Sequence, residues 1–263
     1  MQPGESGATR VGGAASAVAD VAATSVMTAA ADLRLPSPMS DKNTLVSSDV
    51  KAEPSGPLAP LPRGRHNLPL SVVRASQRER LLHAMLESVA ARGYEATTVP
   101  LVVAAAKVSR NAFYALFADK ADCFLALCDE LAGEVLDDIS QPTEDTWLAA
   151  LRTGTGRYLR WWQERPAFSR TYFVELPSAG ARAVAQRDRQ YAEFRTMFDG
   201  LAAWARAQQP GLPPLGPLAT RVIVLAVTEL VAEEVRAGRT DRLTALEEDV
   251  VNLIVLMLTG GSA

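Results

Sequence analysis

From about residue 78 to the C-terminus, apolar residues recur at three- and four-residue spacing, and no stretch shows the two-residue alternation of a half-buried strand. The chain therefore reads as all-α. The segment RERLLHAMLESVAARG places Leu82, Met85, Leu86 and Val89 on one helical face and closes at Gly93, a residue that adopts a left-handed cap without steric penalty. A second, short helix follows Thr98, with Val99, Val102, Val103 and Ala106 on its apolar face and Pro100 in its first turn, where a missing N–H is harmless. Lys107 and Val108 break the pattern. Ser109 is placed to cap a third helix, in which Phe113, Leu116 and Phe117 form the next buried stripe, and Asp119 to cap a fourth over 121–139, with Phe124, Leu127, Cys128, Leu131 and Val135 on one side.

Five more helices are predicted, over about 144–164, 166–176, 181–207, 218–236 and 241–258, the QQPGLPPLGP loop separating the third of these from the fourth. In the last one Leu243, Leu246, Val250, Leu253 and Met257 follow a 3-4-3-4 spacing, and Val251, Ile254 and Leu258 make a second stripe beside it. A helix with two apolar seams needs two partners. One seam can pack on its own domain. The other, together with Leu218, Val222 and Leu225 of the preceding helix, fits a second copy of the chain in a four-helix homodimer interface. The competing arrangement keeps both seams inside one subunit.

If Phe113, Leu116 and Phe117 face inward, then Arg110, Asn111, Tyr114 and Ala115 face outward. A guanidinium, an amide and a phenol on a short helix suit the major groove of double-stranded DNA: Arg grips guanine, Asn grips adenine, and Tyr reaches a phosphate or a thymine methyl. Taken alone, the same residues equally describe a solvated helix face. The flanking order of residues is more specific: the Arg-Glu-Arg-Leu-Leu start, Arg92-Gly93-Tyr94, Thr97-Thr98-Val99, Val108-Ser109, Phe113-Tyr114, Phe117 and Asp119-Lys120. Over about residues 76–128 this order resembles the TetR family of bacterial transcriptional repressors.

That resemblance implies a three-helix helix-turn-helix domain whose third helix enters the major groove, with Ser109, Arg110, Asn111 and Tyr114 at the DNA and with Thr98 and Lys120 on phosphates. It also implies a helical-bundle ligand-binding and dimerisation domain behind it. The expected organisation is thus an N-terminal extension (1–66), a DNA-binding domain (67–122) and a ligand-binding and dimerisation domain (123–263). Two positions depart from the family pattern: Lys107 stands where Gly is usual and must hold a turn that Gly adopts more cheaply, and Ala115 stands where a bulkier residue is common.

Charge supports the division. The net charge of the chain is −3, but residues 63–120 carry nine Lys/Arg against four Asp/Glu, a balance of +5, and residues 121–263 carry fourteen against twenty, a balance of −6. Attraction to phosphate would therefore be local and salt-dependent. Residues 1–66 are dominated by Ala, Gly, Ser, Pro and Thr with poor apolar periodicity, and read as disordered. Within their last few positions, Arg63, Arg65 and His66 form a basic arm suited to a minor groove or to phosphates. Residues 14–31 lack the basic start and clean apolar stretch of a secretory signal, and no run reaches membrane-spanning length, so a cytoplasmic location without membrane contact is expected. Cys123 and Cys128, five apart on one helix, point to different sides and cannot pair, and His66 and His83 have no ligand cluster near them, so neither a metal nor another cofactor is expected.

Eleven of the sixteen aromatic residues fall between Trp147 and Trp204. Aromatic walls with a few polar tips suit an apolar small-molecule effector, and Tyr158, Trp162, Tyr172 and Phe198 are the candidate lining, with Arg157 and Arg170 as orienting charges. The same rings would also simply fill a core. The function that joins these parts is a ligand-responsive transcriptional regulator, acting as a repressor on a palindromic operator, in which the effector tilts the fourth helix and changes the spacing of the two DNA-binding heads. An all-helical enzyme lacks support: Asp137-Asp138 has no third carboxylate at metal-binding spacing, and no nucleophile elbow or phosphate loop occurs. A helical interaction protein that kept the fold but lost DNA binding is the other alternative.

Overall fold

The structure, a computed structural model, describes residues 69–141 and 143–260. The predicted disordered extension 1–66, with Arg63 and Arg65, lies outside the described residues. Among the described residues there are nine α-helices and no strand: α1 Leu70–Arg92, α2 Val99–Ala106, α3 Arg110–Tyr114, α4 Lys120–Ile139, α5 Trp147–Gln163, α6 Pro166–Arg170, α7 Ala181–Gln208, α8 Ala219–Arg236 and α9 Glu247–Thr259.

The helix starts follow local chemistry. Ser109 Oγ accepts from the Ala112 N–H at 3.1 Å, and Thr146 Oγ1 accepts from the Ala149 N–H at 3.3 Å. At α4, Asp119 accepts from the Asp122 N–H at 2.6 Å while Asp122 accepts from the Ala118 N–H at 2.9 Å, a reciprocal cap that ties both ends of the first turn. Thr98 stands at the start of α2 in extended conformation, but its side chain makes no capping bond.

Two predicted helices are broken. The stretch expected as one helix over 166–176 is α6, a π-helical turn Thr171–Glu175 and a 3-10 turn Leu176–Ala179, with Pro177 unable to continue an α-helix. The helix expected from Asp241 is a 3-10 segment, Thr240–Leu246, followed by α9. Gln163 Oε1 accepts from both the N–H and the hydroxyl of Thr244 at 3.0 Å and pins the 3-10 segment to α5, and Glu247, Glu248 and Asp249 then favour the new N-terminus of α9.

Packing divides the apolar interior into two cores. The first is continuous from the three N-terminal helices, through Cys123, Phe124, Leu127 and Cys128 of α4, to Trp161, Trp162, Phe168, Tyr172, Phe173 and Val231. A boundary at 122/123 thus crosses a single core. The second joins Trp147, Leu151, Phe198, Ile223, Val224, Val227, Val250 and Ile254 at the far end of α5, α7, α8 and α9. Tyr158, Phe194 and Leu246 touch both. No helix among the described residues is long and apolar enough to cross a membrane.

Candidate nucleic-acid interface

The turn between α2 and α3 is closed by the backbone. Lys107 adopts a left-handed conformation (φ 53°, ψ 43°), its N–H donates to Ala104 O at 3.2 Å, and the Val108 N–H donates to Val103 O at 3.0 Å. This is a Schellman closure, with buried Val103 and Val108 as its apolar contact. Arg80 of α1 reinforces it: its Nη1 donates to Ala106 O at 3.1 Å and to Lys107 O at 3.4 Å. Sequence reasoning quoted Arg80 only as part of a motif and assigned it no task.

Behind α3, Phe113 is fully buried and Phe117 nearly so, their rings 5.6 Å apart. Ser109, Arg110, Asn111, Tyr114 and Ala115 are exposed, Tyr114 to 57%. The structure therefore brings four of the candidate DNA-facing side chains onto one open face of a helix locked from behind. The Ser109 hydroxyl, already an acceptor for the cap, keeps its proton to donate. Thr98 is also exposed, with its hydroxyl uncommitted.

Lys120 is only partly exposed. Its Nζ donates to Tyr94 O at 2.9 Å and stands 4.0 Å from the centroid of the Tyr94 ring, so one of its three protons is engaged within the fold. The loop it grips is held from the other side by Glu175, whose carboxylate accepts from the Tyr94 N–H at 2.9 Å. Gly93 has φ 82° and ψ 164°, a region open to glycine, and a Cβ there would meet Glu175 Oε2 at 3.2 Å. Exposed Arg182 of α7 pairs with Asp119 at 2.9 Å and with Asp122 at 3.4 Å at the start of α4. Two elements of the C-terminal half, the π-helical turn and the start of α7, thus touch the helix-turn-helix directly.

The candidate effector residues divide. Tyr158, Trp162 and Tyr172 come together, with Trp162 6.1 Å from Tyr158 and 5.2 Å from Tyr172 by ring centroids. Phe198 does not join them and packs in the second core. Neither arginine faces these rings. Arg157 donates to Asp138 O at 3.3 Å on an open groove of about 430 Å³ shared with Glu134 and Glu164, and exposed Arg170 pairs with Glu175 at 3.7 Å. Their expected role as orienting charges is corrected accordingly: each lies on the outer side of its helix.

Inside, Tyr172 Oη donates to Gln190 Oε1 at 2.7 Å, Gln190 Nε2 donates to Asp129 Oδ1 at 3.4 Å, and Gln186 Nε2 donates to Leu125 O at 2.8 Å, stitching the π-helical turn to α7 and α7 to α4. Trp162 Nε1 is buried with no hydrogen-bond partner among the described residues, an arrangement that costs about 1–3 kcal/mol. Burial raises the phenols of Tyr158, Tyr172 and Tyr191 above the ordinary tyrosine range. It also pushes the Cys123 thiol up to about 12, and Cys128 higher still, so neither buried cysteine is a reactive thiolate.

Of the candidate dimer residues, Leu218, Val222 and Leu225 are exposed, and Leu246, Leu253 and Met257 half-buried. Leu243 and Val250 are corrected to the subunit's own interior, at 0% and 1% exposure. Leu256, which the heptad-like spacing did not single out, is 56% exposed.

The described chain is all-helical, with a short polar helix held outward by a three-helix head on a larger helical body, which is a helix-turn-helix architecture. The comparisons specify it. Residues 81–127 match the family described as bacterial regulatory proteins, tetR family. Among solved structures, the fatty acid degradation regulator FadR from Bacillus halodurans is similar at 22% identity over 70% of this chain and 95% of that one, with a TM-score of 0.62. FadR from Bacillus subtilis, solved with stearoyl-CoA, is similar at 19% identity over 70% and 99%, with a TM-score of 0.60. SmeT, the repressor of the Stenotrophomonas maltophilia multidrug efflux pump SmeDEF, is similar at 17% identity over 68% and 88%, with a TM-score of 0.57. No curated protein matches. Residues 81–127 thus carry the helix-turn-helix unit that this family description covers, and the described chain shares the fold of these solved structures.

Proposed function

We propose that this protein is a ligand-responsive repressor that binds a palindromic operator as a homodimer and is released by a small apolar effector. The observation that carries the reading is the α3 face: Arg110, Asn111 and Tyr114 exposed together on a helix fixed by Phe113 and by the Ser109 cap. Ser109, Thr98 and Lys120 supply phosphate-directed donors around it. Arg63 and Arg65 add the basic arm expected from sequence.

A five-residue recognition helix makes few base contacts, so specificity requires two of them. The exposed seam of Leu218, Val222 and Leu225, continued by Leu253, Leu256 and Met257, suits a second copy of the chain. The named ligands and roles of the FadR and SmeT neighbours, stearoyl-CoA and repression of an efflux pump, support an effector-controlled repressor. An effector acts by preferring one arrangement of the heads, and the shift cannot exceed that difference in affinity. The hydrogen bonds from α7 to α4 and from the π-helical turn to the Tyr94 loop give such a preference a path to α4 and the heads.

The test is binding of the purified full chain to DNA from upstream of its own gene while salt is raised. Six to ten phosphate contacts predict a loss of about 10³–10⁵ in affinity between about 50 and 200 mM salt. Absence of binding, or affinity indifferent to salt, would remove the reading.

A further inference from the structure

The two cores are separated by a belt of hydrogen-bonding side chains. Along α5 the second core ends at Leu151 and the first resumes at Leu159, with Thr155 and Tyr158 between them. Along α8 the change falls between Val227 and Val231, at Thr228, and along α7 it falls around Gln190, Tyr191 and Phe194. The phenols of Tyr158 and Tyr191 both turn towards Thr228. The Tyr158 and Trp162 rings stand edge to face with centroids 6.1 Å apart, yet the Trp162 indole N–H completes no hydrogen bond among the described residues, although the residue is only 2% exposed.

A buried donor without a partner, set among aromatic faces and hydroxyl tips, is half of a hydrogen bond. Tyr158, Tyr191, Phe194 and Thr228 are each only half-buried, so the belt is less sealed than either core beside it. Its charges are largely engaged: Arg187, over the Tyr191 ring, pairs with Asp188 through Nη2 while its buried Nε makes no hydrogen bond among the described residues, and the Asp129 carboxylate receives Gln190. Burial raises all three phenols of the region above the ordinary tyrosine range, as surroundings that disfavour an anion do.

We propose that the effector is an uncharged apolar molecule bearing a carbonyl-type acceptor, and that it binds at this belt with the acceptor on the Trp162 indole N–H. The effector role rests on the regulator reading above; the binding does not. A molecule seated there parts the core that contains the helix-turn-helix from the core beneath the α8–α9 seam. Gln186 and Gln190 pass that displacement from α7 to α4.

The probes are 2-nonanone and 2-methyl-1-nonene, in which a methylene replaces the carbonyl oxygen, titrated calorimetrically into the DNA-free full chain. The ketone binds at least about tenfold more tightly than the alkene, and Trp162→Phe brings the ratio to about one. In protein labelled at the indole nitrogens of its four tryptophans, the ketone moves one N–H resonance downfield and the alkene does not, a readout that stands even where Trp162→Phe fails to fold. Failure of both probes to bind, equal affinities, a ratio that survives in Trp162→Phe, or no ketone-specific resonance shift would overturn the proposal. Loss of the DNA reading alone would leave these results intact, because no step uses DNA.

Discussion

Lys107 carries a left-handed backbone that glycine would carry without strain, so Lys107→Gly tests how much the α2–α3 turn depends on its surroundings. A residue with a Cβ pays about 1–2 kcal/mol in this conformation. Glycine removes that penalty but adds about 0.5–1 kcal/mol of unfolded-chain entropy, leaving a net gain of about 0.5–1 kcal/mol. The Schellman bonds of Lys107 and Val108 and the Arg80 contacts to Ala106 O and Lys107 O are backbone-directed at this turn and survive the change. In a chain of this size the expected rise in Tm by calorimetry is about 1–4 °C. Lys107→Ala separates strain from charge: it removes the same ammonium and keeps the Cβ, and should show no gain. Equal stabilisation by Gly and Ala, or destabilisation by Gly, would refute the reasoning.

Tyr114→Ala should weaken specific DNA binding by about 1–3 kcal/mol without changing Tm appreciably, since the ring is more than half exposed; an unchanged operator affinity in a gel-shift titration counts against a reading role for α3. Lys120→Ala should weaken binding to all sequences, lower the salt slope by about one, and also reduce Tm, because Nζ holds Tyr94 O. Glu175→Ala leaves the Tyr94 N–H without its acceptor and should cost about 1–2 kcal/mol, read as faster amide exchange at Tyr94; unaltered exchange there would show that the carboxylate does not hold the loop. Leu225→Asp should yield monomers by sedimentation with helicity retained, and a persistent dimer would move the interface elsewhere.

What was legible in the sequence is what short-range chemistry determines. Ser109 and Asp119 each cap the helix that begins one residue later, and the stripe ending in Phe113 and Phe117 fixes which side of α3 faces out. The contacts that seat the head were not legible, because they join distant segments: Arg80 reaches across 26 residues to Ala106, and Glu175 across 81 to Tyr94. Arg157 adjoins Tyr158 in sequence, yet one residue along a helix turns the side chain by about 100°, enough to carry it from the aromatic interior to the groove beside Asp138. The last helix misled for a similar reason. Leu243 belongs to the 3-10 segment before α9 and is buried there, and within α9 Val250 shares the inward face of Val251, Ile254 and Leu258 while Leu256 is left at the surface.

The uninterrupted apolar interior that runs from Phe113 past Tyr94 and Phe124 to Trp162 has a bearing on how such a protein can diversify. A head cannot be exchanged for that of a relative at residue 122 without cutting through packed side chains and leaving Glu175 and Arg182 facing unfamiliar neighbours. Under the proposed reading, new operators are reached most cheaply by single replacements at Arg110, Asn111 and Tyr114, which touch solvent and leave the joinery behind them alone.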